Sequence, residues 1–597
     1  MKLANSILLS LATLGLCNAS LQAEVPLLVK GQTDYKIYLD ENHTEVEQTA
    51  INELQDFLLK STKQYYPITD IKQDKLIVIG SGEYAQSLLP NVDFKNFKDD
   101  EILIKTVDEK LILSGDNPIY SVHTFLENEL GIQFWSATET EIPDHHNIKL
   151  DDIGIRYAPI FNQREHLIYE ALYNPKFTAR LKLNGHHQRL PENWGGHYEI
   201  LGFVHTFGNF IPREKYAKDH PEWFVLQDST DNGTRNYNGL CLSNDEMRKE
   251  MTKNILAYLR EQHKPRIISV SQNDNRIVCQ CEKCKALNKK EESQAATLIK
   301  FVNDVAVEVE KEFPDVKVET LAYMYTRKAP KTVKPRKNVI VRLCAFECNF
   351  SKPLDSKHNA RFAQDVREWS EISPELAIWN YTTNYSYYLL PMPNWSNLDD
   401  DLRFYAAHKV RSMFEQGNYN GHAKIGDMMQ MRNWVISKML WNPELKVEDL
   451  IHEFAEGYYG PAGKYIEDYI WLLEEDVQKA NINLRIYYHN TKNWLQAETI
   501  VKAWDLMTKA REAVKGNPKY EERVELATVP MRVVLSERYC QRKDDKTFDT
   551  IKDCYDDPDQ FIKDLIQMLD AYAPLRYREG RWFDGKRKQW LKHVANK

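Results

Sequence analysis

The sequence predicts an α/β protein built on a (β/α)8 TIM-like barrel, with a small α/β sandwich domain before it and a helical C-terminal domain after it. Three observations carry this reading. Over residues 155–455, short apolar runs alternate with segments of helical periodicity. Polar residues recur at the C-terminal ends of those runs, where this barrel builds its sites. Past residue 455 the chain turns to long, charged, leucine-rich helical repeats. A length of 597 residues asks for several domains, and 42% apolar content is enough to give them cores.

The chain begins with a positive Met1-Lys2 and an apolar run, Ile7–Leu16, too short to cross a bilayer. Residues 1–23 are therefore expected to be a signal peptide of an exported protein, periplasmic or at the cell surface. A lipid anchor at Cys17 is the less favoured alternative, because Leu16 is bulky for such a site. No later segment has the length and apolarity of a membrane span.

Residues 24–152 alternate strand and helix. Tyr35–Leu39 and Leu76–Ile79 are expected strands, and Ile102–Ile104 with Leu111–Leu113 a hairpin. Val46, Ala50, Ile51, Leu54, Phe57 and Leu58 share one helix face, and Ile119–Leu130 forms a second helix. Gly80-Ser81-Gly82 is expected to be a turn, since a phosphate loop needs a following Lys-Ser/Thr.

In residues 155–455, strands are expected at Phe161–His166, Leu181–Gly185, Ile267–Val270, Val316–Tyr323, Val339–Leu343, Leu376–Trp379 and Val410–Phe414. Tyr169–Arg180 is expected to be one helix. No eighth strand is evident. Residues 456–597 carry expected helices at Tyr465–Ala480, Ala497–Val514, Arg523–Tyr539 and Gln560–Ala573.

The strand ends supply the chemistry. Asp274, Glu347 and Glu415 each follow an apolar run, and a barrel gathers such residues from distant parts of the chain. Hydrolysis of a glycosidic bond needs two carboxyl groups, or one plus a nucleophilic group of the substrate. These three are the candidate catalytic residues; pairing with Arg276 or Arg342 is the structural alternative. Glu165, at the end of the first run, and Glu192, on a glycine-rich loop, are reserves. Amides and aromatics beside them suit a sugar, amides for hydroxyls and ring faces for the apolar side of a pyranose. The candidate substrate-binding set is Glu165, His205, Gln272, Asn273, Asn275, Tyr325, Trp379, Tyr381 and Gln416, with Tyr323 and Asn380 nearby in sequence. A net charge of −8 and the lack of a basic stripe argue against nucleic acid as a partner. No cofactor is expected.

Of nine cysteines, Cys279, Cys281 and Cys284 form a CxCxxC cluster just after Asp274. A zinc site would need a fourth ligand, from Cys241 or a histidine, and a disulfide is the alternative in an exported chain. Either role is structural; a catalytic metal is not expected, because an open site favours histidine and carboxylate ligands.

Two resemblances sharpen the expectation. Gly115, Ile119–Glu127, Leu130–Trp135 and Ile142-Pro143 resemble the non-catalytic N-terminal domain that precedes the barrel in β-hexosaminidases and α-glucuronidases. His205-Thr206-Phe207, His220–Phe224, Leu240–Asn244, Ser269–Asn275 with CxCxxC, Leu321-Ala322-Tyr323-x-Tyr325, Asn338–Leu343 and Glu456–Gly460 resemble the bacterial domain of unknown function 4838, from which glycoside hydrolase family 163 was drawn. Together they cover roughly residues 110–460. The second resemblance implies a retaining endo-β-N-acetylglucosaminidase acting on N-glycan-type substrates, with an oligosaccharide or glycoprotein glycan as partner. It does not map catalytic residues onto this chain. An α-glucuronidase-like or other exo-glycosidase, and a non-catalytic glycan-binding protein, are the alternative readings.

Overall fold

The structure is a computed structural model that describes residues 24–228, 233–419 and 425–595. The expected signal peptide, with Cys17, lies outside the described residues. The chain divides into two compact units.

In the first unit, a six-stranded mixed sheet runs in the order Gly154–Tyr157, Ile102–Val107, Lys110–Gly115, Leu76–Ile79, Lys36–Tyr38, Ile68–Thr69. The expected hairpin is antiparallel over its whole length, from Ile102 opposite Gly115 to Val107 opposite Lys110. Helix Glu45–Thr62 starts on a capping box, in which the Thr44 N–H donates to Glu47 at 2.7 Å and the Glu47 N–H donates to the Thr44 hydroxyl at 3.2 Å. Helix Pro118–Leu130 starts on Asn117 and stops at Gly131, whose φ of +62° suits a residue without a Cβ. Gly80-Ser81-Gly82 is a turn with carboxylates against it. A side chain at Gly80 would strike Glu47, and one at Gly82 would strike Asp40. Two acids at those places repel a phosphate.

The second unit holds everything from Ala158 onward and the short segment Ile132–Glu141. The helices past residue 455 thus belong to the same compact unit as the sheet they follow. Its centre is a seven-stranded parallel sheet: β1 Gln163–His166, β2 Ile200–Leu201, β3 Ile267–Ser269, β4 Lys317–Ala322, β5 Val339–Cys344, β6 Leu376–Tyr381 and β7 Val410–Gln416. The order is β1-β7-β6-β5-β4-β3-β2, so the first strand pairs with the last. The edge strands β1 and β2 are joined through irregular backbone around Asn184. The Asn184 N–H donates to the Arg164 carbonyl at 3.1 Å, and its carbonyl accepts from the Tyr198 N–H at 2.8 Å.

Three expectations change here. Leu181–Gly185 forms no strand. The Asn184 side chain takes ladder positions itself, accepting from the Arg164 N–H at 2.8 Å and donating to the Asn162 carbonyl at 2.8 Å. The strand missed in the sequence is β2, only two residues long and too short to show a period. The expected helix Tyr169–Arg180 is two, Tyr169–Leu172 and Pro175–Arg180, because Asn174 caps the second by accepting from the Phe177 N–H at 3.0 Å and Pro175 cannot donate to the first.

Strand alternation sorts the sheet's side chains into an interior layered along the strands. Ile200, Ile267, Ile340 and Ala377 make the apolar base. Above them lies a polar layer: Arg342 donates to both Glu319 oxygens at 2.9 Å, and the Ser412 hydroxyl donates to Gln163 at 2.6 Å. Arg342 and Glu319 are each 1% exposed, so this ion pair is wholly inside. The bidentate geometry offsets the cost of burying both charges, but neither can be left alone there.

Around the sheet, helix Ala295–Glu312 buries Leu298, Phe301, Val302, Val305, Ala306 and Val309, the face expected from periodicity. Trp135 packs on Trp434 and Phe454, with ring centroids at 5.2 and 5.5 Å. Gly457 is required beneath it, since an added Cβ would lie 2.1 Å from the indole. The C-terminal region is not helical throughout. Residues 484–488 run back to the sheet, where the Tyr385 N–H donates to the Ile486 carbonyl at 2.8 Å. The hairpin Arg576–Arg578/Arg581–Trp582 docks on the loop after β6 through the Tyr388 N–H and the Tyr577 carbonyl, 2.8 Å apart.

Replacing Glu319 by Ala leaves a buried guanidinium without its counter-charge. The expected loss is about 3–5 kcal/mol of stability, read as a shift of the denaturation midpoint, whereas Glu312→Ala, at an exposed pair with Arg260, leaves the midpoint nearly unchanged.

Candidate functional site

At the C-terminal ends of the strands the interior opens into a cavity of about 340 Å³. Its wall alternates out of the strands: Leu321 and Tyr323 at β4, Cys344 and Phe346 at β5, Trp379 and Tyr381 at β6, Phe414 and Gln416 at β7. Asp274 and His205 stand at its rim, His187 and Phe203 reach it from the irregular side, and Tyr385, Tyr419, Ile486, Tyr487 and Glu579 complete it.

Asp274 is held by chemistry around it. The Tyr323 hydroxyl donates to its carboxylate at 3.2 Å, and burial followed by the Asp274 charge pushes the Tyr323 phenol well above its ordinary range. The phenol therefore keeps its proton and stays a donor. The loop bearing Asp274 is fixed from both sides. Asn273 and Asn275 donate to the Asn238 carbonyl at 2.9 and 2.8 Å. Gln272 is buried, donating to the Tyr323 carbonyl at 3.1 Å and accepting from the Thr326 hydroxyl at 2.6 Å. The neighbouring segment after β2 is strained: the non-glycine residues Phe203 and His205 have φ of +52° and +59°. That conformation is pinned by the His205 N–H to the Ser271 hydroxyl at 2.9 Å and by its imidazole Nδ1 to the Gln272 carbonyl at 2.7 Å.

Of the residues expected from sequence, Asp274, His205, Trp379, Tyr381 and Gln416 line the cavity. Gln272, Asn273 and Asn275 spend their amides on tying the loop to Tyr323, Thr326 and Asn238. Tyr325 sits on the one-turn helix Met324–Thr326, away from the lining. Glu165 lies below, accepting from the backbone N–H groups of His186 and His187 and, at 2.5 Å, from the His187 imidazole. Burial alone would raise its pKa; the His187 hydrogen bond and the adjacent imidazoles outweigh it, and the carboxyl titrates below its usual range. Glu165 therefore serves as an ionised support that aims His187 into the cavity.

Two of the three expected acids are not brought to the cavity. Glu347 pairs with Arg327, which also holds Asp365 at 2.6 Å. Glu415 is turned away because it alternates with Phe414 and Gln416, the two residues of β7 that face the cavity. It is buried on the helix side and accepts from the Asn380 amide at 3.0 Å. Burial raises its pKa to about 8. Glu192 is exposed on a one-turn helix. Arg164 and Arg342 are buried beneath the site rather than facing it.

Sequence reasoning missed Glu579, Tyr419, Tyr487, Tyr385, Phe346 and His187. Glu579 accepts from the Tyr419 hydroxyl at 2.6 Å. It lies in Arg578-Glu579-Gly580-Arg581, the turn of a hairpin in a region read as helical. For Tyr487, the run Ile486-Tyr487-Tyr488 was the available signal, being aromatic and β-branched between asparagine-rich segments.

The protonated Glu415 predicts a pH dependence. Its pKa is about 8 folded and 4.5 for an unperturbed glutamate, so between those values the folded state holds a proton that the unfolded state lacks. Stability from this group falls as pH rises from about 5 to about 8, by a few kcal/mol at most. Glu415→Gln removes that slope, which denaturant titrations of both proteins at pH 5.5 and 8 measure.

Comparison with solved structures finds a family GH115 4-O-methyl-α-glucuronidase with specificity for decorated arabinogalactans, 11% identical, with 95% of this chain and 80% of that one covered at a TM-score of 0.59. A GH138 enzyme targeting pectin rhamnogalacturonan II is 10% identical, with 94% and 98% covered at 0.40. A GH20 β-N-acetylhexosaminidase from Streptomyces coelicolor A3(2) is 11% identical, with 75% and 93% covered at 0.37. At these identities the first likeness is one of fold, and the scores of the other two carry no argument. No curated protein matches the chain. The profile of one family matches residues 134–471, more than half of the 597 residues. The chain belongs to that family, described as a domain of unknown function (DUF4838).

Proposed function

We propose that this protein is a glycoside hydrolase, and that it acts as an exported, retaining endo-β-N-acetylglucosaminidase on N-glycan-type substrates. The observation that carries the reading is one cavity at the strand ends with two carboxylates, Asp274 and Glu579, among aromatic rings. The fold likeness to an enzyme described as a glucuronidase supports it. So does the resemblance of the sequence to family 163. The Asp274 carboxylate, which the proposed reaction keeps ionised, favours a neutral sugar over a uronate, whose own charge it repels. Trp379 and Tyr381 offer ring faces on which a pyranose can lie.

An N-acetyl group on the cleaved sugar supplies the nucleophile, so the protein needs a carboxylate to orient the acetamide and an acid/base. Asp274, steadied by the Tyr323 phenol, accepts from the acetamide N–H while the acetamide oxygen attacks the anomeric carbon. Glu579 gives its proton to the leaving oxygen as the glycosidic bond breaks, then takes one from the water that opens the ring so formed. Two inversions at one carbon amount to retention.

The two roles separate experimentally. Asp274→Asn is expected to lower kcat about 10²–10⁴-fold on every substrate. Glu579→Gln is expected to lose as much on a natural glycan but to keep most of its kcat/KM on a nitrophenyl glycoside, whose leaving group needs no proton, with kcat lowered because ring opening still needs the base. Glu347→Gln and Glu415→Gln keep their rates within a few-fold. Near wild-type turnover of glycan by both Asp274→Asn and Glu579→Gln contradicts the assignment, and binding without turnover by the wild type leaves a glycan-binding protein.

A further inference from the structure

The cysteines expected to brace the Asp274 loop do more than approach one another in pairs. Cys241, Cys279, Cys281 and Cys284 place their four sulfur atoms all within 4.8 Å of one another. Four thiolates around zinc, at about 2.3 Å each, stand about 3.8 Å apart at the corners of a tetrahedron. The Cys241 and Cys281 sulfurs are 3.6 Å apart, close to that edge and far from the length of about 2.05 Å for a disulfide. Disulfides need convergence only in twos; one point shared by four sulfurs from two stretches of chain is the requirement of a metal.

The surroundings agree. Ser243 puts its hydroxyl 3.2 Å from Cys284, 3.3 Å from Cys281 and 3.5 Å from Cys241, where it can donate to a thiolate. Cys281 is the N-cap of helix Glu282–Lys290, whose free N–H groups favour negative charge. Cys241, Cys279 and Cys284 are buried, with Val225, Leu226 and Ile277 packed about them. We infer that these four cysteines form a structural tetrathiolate zinc site. With four protein ligands it has no open position and takes no part in hydrolysis. Its role is mechanical. It fastens the strand Arg235–Leu240, which precedes Cys241, to the loop that begins at Asp274. The Asn238 carbonyl, which holds Asn273 and Asn275, lies on that strand.

Zinc content and coordination test this without reference to activity. The full chain, expressed with zinc and dialysed against metal-free buffer, should retain about one zinc per chain. X-ray absorption at the zinc edge should show four sulfurs at about 2.3 Å. Cys241→Ser should lose most of the metal, while Cys554→Ser, in the helical region, keeps it. Should Cys241→Ser fail to fold, the absorption spectrum of the wild type decides alone. A zinc-free protein whose unreduced peptides show disulfides among these cysteines overturns the inference, as does a zinc shell made of oxygen or nitrogen.

Discussion

Side chains along a strand point to opposite sides in turn, and this one constraint settles what the site contains. On β6 and β7 it sends Trp379, Tyr381, Phe414 and Gln416 to the cavity, and Asn380 and Glu415 to the helices. Lower down it stacks an apolar base under the Arg342–Glu319 pair. The cavity floor is therefore built on a buried charge pair that must stay matched, and the cavity mouth on residues two and four positions further along the same strands. A shift of one residue in any strand would exchange cavity and helix faces.

The roles of the acids follow from that geometry rather than from their proximity to strand ends. Glu415 and Asp274 both follow apolar runs, yet one is enclosed and held neutral below pH 8 while the other is exposed and hydrogen-bonded by a phenol. Glu165 lies deeper and remains ionised through His187. The Asp274 loop is heavily braced, by the buried Gln272 against Tyr323 and by Asn273 and Asn275 against Asn238. Glu579, which also lines the cavity, arrives on a hairpin from the far end of the chain.

Much of this was legible in the sequence. The hairpin of the first unit, the helix through Leu298 and Val309, and the strands that became β3 to β7 rest on apolar runs or periodicity that local sequence expresses. What was not legible has physical causes. Strand β2 has two residues and shows no period. Leu181–Gly185 has the composition of a strand, but Asn184 bonds through its side chain instead. The strand-end rule chose Asp274, Glu347 and Glu415 alike, though only Asp274 lines the cavity, because sequence position does not reveal which side of the sheet a residue faces or whether an arginine such as Arg327 waits for it. Glu579 could not be placed, since only the tertiary fold brings residue 579 beside Tyr419.

The reaction proposed for the cavity carrying Asp274 and Glu579 is cleavage of a sugar bond with retention. The most direct measurement is proton NMR of a β-linked N-acetylglucosamine glycan during the first minutes of reaction, before the product's anomers equilibrate. With retention, the β-anomer of the new reducing end appears first. First appearance of the α-anomer, or no new reducing end at all, would contradict it.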